Sequence, residues 1–129
     1  MGLLLRDTVI MEAVFQDHVS LADIQRWLAH IHDLTVHRQP FYFISSTPPG
    51  TTLAGGYRAL QSSWFRRHRA SFQAYCQGLV RIAQDTAEHD RLDTPALRAA
   101  WGVPYFVTLS RLEGLQWIVE RLVKDANAQ

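Results

Sequence analysis

Three stretches of this chain group residue types that could do chemistry. In Leu53-Ala54-Gly55-Gly56-Tyr57-Arg58, two glycines stand just ahead of a helix start and an arginine follows. Free backbone N–H groups at such a start can hold a small anion, with Gly55 and Gly56 letting it approach and Arg58 adding charge. Neither Gly-Lys-Ser/Thr nor GxGxxG is present, so the plain alternative is a flexible helix entry. The second stretch is Arg66-Arg67-His68-Arg69. Four successive residues spread around a helix, but Arg66 and Arg69 lie one turn apart and could act together, with Arg58 further along. They could meet an acidic protein, a phosphopeptide or nucleic acid, or form a solvated face. The third is Ser45-Ser46-Thr47-Pro48-Pro49-Gly50-Thr51-Thr52. Hydroxyls at Ser45, Ser46 and Thr47 could accept a phosphoryl group, or simply satisfy backbone groups in a turn.

Other reactive residues are poorly placed. His30 and His32 point to different sides of a helix, His30 and His37 are two turns apart, and there is no HExxH. Cys76 sits at a helix end, which disfavours a thiolate, and reads as a small core residue. There is no Gly-x-Ser-x-Gly. No catalytic residue, metal site or cofactor is therefore assigned, and an enzyme is the least supported reading. Trp117 lies off its helix's main apolar stripe and is a candidate interface anchor.

The elements that must position these residues follow from composition and pattern. The chain has 129 residues, 47% hydrophobic, 19% charged, with fourteen aromatics and a formal charge of +1. That excludes disorder of the whole chain and predicts one domain over 1–129, frayed at 1–2 and 124–129. A near-neutral balance gives no general attraction to nucleic acid or anionic membrane. Twelve of its thirteen Lys and Arg are arginines, a bias that either reflects coding background or suits bidentate anion contacts. No apolar run approaches the ~20 residues of a membrane span, and the start lacks a signal-peptide pattern. A soluble cytoplasmic protein is expected.

Leu3–Leu5 and Thr8–Phe15 read as two extended segments, the second apolar enough to be buried on both faces. Ser20 with Asp23 forms a capping box for a helix that fades near His37, before Pro40. Phe41–Ser45 is a strand, and Ser45–Gly56 a loop. A helix spans Tyr57–Tyr75, Gly78 ends that unit, and Leu79–Ala83 is a strand. Gln84–Arg91 continues as a helix, Thr94-Pro95 opens another that stops at Gly102, and Val103–Leu109 is the last strand. A capping box at Ser110–Glu113 starts a final helix with Leu112, Leu115, Ile118, Val119 and Leu122 on its buried side. Alternating strands and helices predict an α/β sandwich with a mixed, largely parallel sheet of four to five strands and about four helices.

This order resembles the STAS domain, and more closely the SpoIIAA-like, STAS-like small proteins of bacteria. The resemblance is carried by His18–Asp23, by Tyr57-Arg58 through Arg66-Arg67-His68-Arg69, and by Val103-Pro104-Tyr105-Phe106 through Leu115-Gln116-Trp117-Ile118. It implies a regulatory module whose loop after the central strand carries a phosphorylated serine. Here that stretch, Ser45–Gly50, keeps hydroxyls, lacks the family's aspartate and gains two prolines. The resemblance implies a non-enzymatic module that docks a protein partner or another copy of itself, switched at the Ser/Thr loop 45–52. The alternative is a sensor or carrier of a lipid or nucleotide, seated between the Tyr57–Tyr75 helix and the sheet.

Overall fold

A computed structural model describes residues 2–127, with only the backbone of Ala126 and Asn127. The order is β1 (Val9–Val14), β2 (His18–Val19), α1 (Leu21–Val36), β3 (Phe41–Ser46), β4 (Thr52–Leu53), α2 (Tyr57–Tyr75), β5 (Cys76–Ile82), α3 (Thr86–Leu92), α4 (Pro95–Trp101), β6 (Tyr105–Thr108) and α5 (Arg111–Asn127). The main sheet runs β1-β3-β5-β6 with every pair parallel, and β2 and β4 form a second small parallel pair. The fold is α/β, as the alternating pattern predicts.

Local chemistry explains the helix boundaries. Ser20 Oγ accepts from Asp23 N–H while Asp23 accepts from Ser20 N–H, closing the capping box of α1. Thr94 caps α4, Pro95 takes its first position, and Gly102 ends it in the left-handed region at φ 68°. At α5 the expected box is only half made. Ser110 caps Glu113 N–H, but the Glu113 carboxylate accepts instead from the Thr108 hydroxyl.

Alternation along the strands divides the core. Phe41, Phe43 and Leu79 face α1, α2 and α4, where Ile31, Phe72 and Trp101 pack on them. Tyr42, Ile44 and Val80 face α5 through Ile118. Gly114 lets α5 descend onto the sheet: a Cβ there would lie 2.8 Å from Val80 Cγ1.

Several expectations are corrected. Leu3–Leu5 is not a strand but an exposed arm. β1 is an edge strand with Met11 its one buried residue, because an apolar β-branched run looks alike at an edge and in a sheet centre. Gly78 does not end a unit. It lies inside β5 because a Cβ there would stand 2.9 Å from Trp117 Cζ3, so the indole needs a bare α-carbon. α5 runs helical to Asn127, and residues 1, 128 and 129 of the expected frayed ends lie outside the described residues. Of the α5 stripe only Ile118 is buried, while Leu112 and Val119 are exposed.

Candidate functional site

Open parallel sheets bind ligands beyond the carboxyl ends of their strands. Here those ends carry Phe15 after β1, Ser45 and Thr47 at the end of β3, and Arg81 near the end of β5. Ala13, Ser45, Arg81 and Val107 are register neighbours across the sheet, one row on the face covered by α1 and α2.

The loops above that row are tied together. Thr52 N–H donates to Asp17 C=O at 2.8 Å and Ala54 N–H to Val19 C=O at 2.9 Å. The Thr51 hydroxyl donates to Phe15 and Pro48 carbonyls at 3.0 and 2.7 Å, and His18 Nδ1 lies 2.9 Å from Thr52 Oγ1. Asp17 turns the chain at φ 58°. The β2–β4 pair thus roofs the carboxyl edge.

Beneath the roof lies a cavity of about 80 Å³. Its apolar wall includes Phe15, Trp27, Phe43, Leu53, Tyr57 and Trp101, and its polar groups are Ser45, Thr47, Gln61 and Arg81. Trp27 is fixed by an edge contact with Phe15 at 5.1 Å and a tilted contact with Phe43 at 5.6 Å. No acidic residue lines the cavity. Arg81 joins none of the ion pairs formed among the described residues. The Trp27 indole N–H is buried and has no acceptor. An inner-strand cation, half-buried and without an acidic partner, therefore faces a mostly aromatic hollow.

The expected site residues are scattered around this cavity. Ser45 lies in β3, at the end of the expected strand Phe41–Ser45, 5% exposed and a lining residue. Burial shields its hydroxyl, which weighs against Ser45 as the switch residue of the Ser/Thr loop. Ser46 ends the strand and Thr47 lines the cavity; its carbonyl accepts from Gln84 Nε2. Gly56 holds φ 85° at the entry of α2, but neither Gly55 nor Gly56 has an atom within 4 Å of where a Cβ would be. Both are exposed. Arg58 is exposed too, its Nε donating to Tyr57 Oη at 3.0 Å, a bond that raises its pKa.

Arg66 and Arg69 share an open groove with Phe65, Leu97 and Trp101, and Arg69 lies over the Phe65 ring at 5.5 Å. Trp117 packs against the sheet, stacked on Phe106 at 5.5 Å and capped by Arg121 at 5.1 Å. Cys76 is buried at the start of β5, its thiol pushed up to about 12 by burial. Among the described residues no three His, Cys, Asp or Glu stand together as a metal site. No described helix is long and apolar enough to cross a membrane.

Arg81, Trp27 and Gln61 are site residues that sequence reasoning missed. A signal existed for the first: Arg81 is the only charged residue within the apolar run Leu79–Ala83. No protein-family model, curated protein or solved structure matches the chain.

Proposed function

We propose that this chain is a non-enzymatic module that binds a small organic anion at the carboxyl edge of its sheet. The observation that carries this reading is Arg81, a cation without an acidic partner in an aromatic, acid-free cavity. A guanidinium presents a planar fork that suits a carboxylate. Ser45 and Gln61 can add hydrogen bonds to the same anion, while Phe15, Trp27, Phe43 and Trp101 hold an apolar body. The volume suits roughly ten heavy atoms or fewer, given that one water needs about 10–15 Å³ by this measure. A nucleotide or a lipid chain would have to extend beyond this volume. None of the lining residues is a histidine, cysteine or acid, so the Ser45 and Thr47 hydroxyls have no imidazole or carboxylate beside them in the lining to activate them.

The test is a thermal-shift series with benzoate, isovalerate and pyruvate against their uncharged amides. Carboxylates should raise the melting temperature of the wild type, by an amount growing with concentration, and leave Arg81→Met unmoved. Equal responses to acids and amides, or equal responses of both proteins, would reject the reading.

A STAS-type docking module is the second reading. Its support is not the Ser/Thr loop but the uncovered apolar face of the sheet.

A further inference from the structure

One helix cannot cover this sheet. A helix is about 10 Å wide and strands lie about 4.8 Å apart, so α5 alone covers roughly two of four strands. It sits on β3 and β5 through Ile118, and Trp117 extends the cover to Phe106 on β6. β1 is left over. Ile10 and Val14, on the same face as Glu12, are exposed. Glu12 ties β1 to α5 through a two-pronged contact with Arg111, at 2.7 and 3.0 Å.

The flank of α5 turned toward β1 is apolar as well. Leu112, Val119 and Val123 are 65%, 53% and 53% exposed. Beside them runs the amino-terminal arm, whose Leu3, Leu4 and Leu5 are 71–85% exposed and whose Leu5 shares a cleft with Leu122. The exposed surface of these eight residues, about half of it on the arm, is of the order of the ~800 Å² that each partner buries in a standard stable interface. Monomers seldom expose patches beyond about 300–600 Å².

We infer that this face is where two copies of the chain join about a twofold axis. Three features favour a second copy over another occupant. The area matches what a stable dimer needs. Glu12 and Arg111 on the strand face pair with each other, and the arm adds one charge of each sign, Arg6 and Asp7, so these charges sum to zero and select no strongly charged partner. The outer edge of β1 is free, and an antiparallel pairing of two such edges satisfies the same backbone groups on both copies. The stripe on α5 is then an interface stripe, with the apolar arm of each copy laid against it. Trp117 lies on the opposite flank of α5 and takes no part.

Sedimentation equilibrium between about 1 and 200 µM tests this, comparing wild type with Val119→Glu, Val123→Glu and a chain lacking residues 2–7. Both valines are more than half exposed, so the substitutions spare the monomer fold; circular dichroism verifies that. The wild type should weigh twice 14.8 kDa, and each glutamate should weaken the dimer by about 100-fold. Deleting the arm should weaken it by at least tenfold. A wild type of 14.8 kDa throughout overturns the inference, and pelleting of that monomer with anionic phospholipid vesicles would assign the face to a lipid surface instead. A dimer that ignores both glutamates overturns it as well.

Discussion

Replacing Arg81 by methionine should make the protein more stable while removing its ligand affinity. Arg81 occupies the inner strand β5 and faces an aromatic wall with no carboxylate to pair with. Exchanging buried ionic groups, measured for pairs and triads, for well-packed apolar residues is often neutral or gains about 1–4 kcal/mol. Arg81 keeps part of its surface in water, so its gain belongs at the low end, about 1 kcal/mol. For a chain of this size that is roughly 3–5 °C in melting temperature. Losing a hydrogen bond to a charged group costs about 1.5–3 kcal/mol, or roughly 10–150-fold in affinity for a bound carboxylate. Urea unfolding without ligand measures the first effect, and titration with the best carboxylate measures the second. Arg81→Lys should retain the charge, lose the fork and fall between the two in affinity. A fall in stability of about 1 kcal/mol or more for Arg81→Met would refute the reasoning. It would mean that the guanidinium is held by the fold itself and awaits no ligand.

Three further outcomes follow from the packing. Gly78→Ala should destabilise by about 1–3 kcal/mol in urea, because its Cβ would press on the Trp117 ring and, at 3.1 Å, on Tyr42 Cδ1; an unchanged midpoint would contradict the tight seat of the indole. The Cys76 thiol should react with aromatic disulfide reagents only at the rate of unfolding, since burial holds it protonated at about 12; fast labelling of the native protein would contradict that. His68 is held below its usual value by desolvation, then by His32 and Arg67, so the unfolded chain protonates first. Stability should therefore fall as pH drops below about 6.5 and level off once the folded form is protonated too. His68→Phe should lessen that slope between pH 7.5 and 5, above the range where the lowered Glu12 and Asp23 carboxyls begin to titrate; an identical slope in both proteins would point to another group.

Much of the fold was legible wherever a local rule governs it. The aromatic periodicity from Tyr57 to Tyr75 and the Gly55-Gly56 pair delimit α2, and Ser20-Asp23 and Thr94-Pro95 mark two helix starts by capping chemistry. Burial was less legible, because it depends on which elements meet. β1 reads as central and is an edge; Leu112 and Val119 read as core and lie on an uncovered flank. The β2–β4 pair is two residues long on each side and has no sequence signal of its own. The cavity was the least legible part. Phe15, Trp27, Ser45, Gln61, Arg81 and Trp101 come from six separate segments, and only the parallel register brings them together. Local reasoning instead favoured Gly55, Gly56 and Arg58, neighbours in sequence that share no enclosed space.

The central claim is that a small anion seats against Arg81 in the aromatic cavity whose wall includes Trp27. The most direct measurement is a nitrogen-15 correlation spectrum of the four tryptophan indoles during titration with benzoate. The Trp27 signal, assigned by Trp27→Phe, should shift and saturate as the ligand packs against its ring, while Trp117 stays put and Arg81→Met shows no movement. A Trp27 signal that does not respond to any of the three carboxylates, or that moves equally in Arg81→Met, would contradict the account.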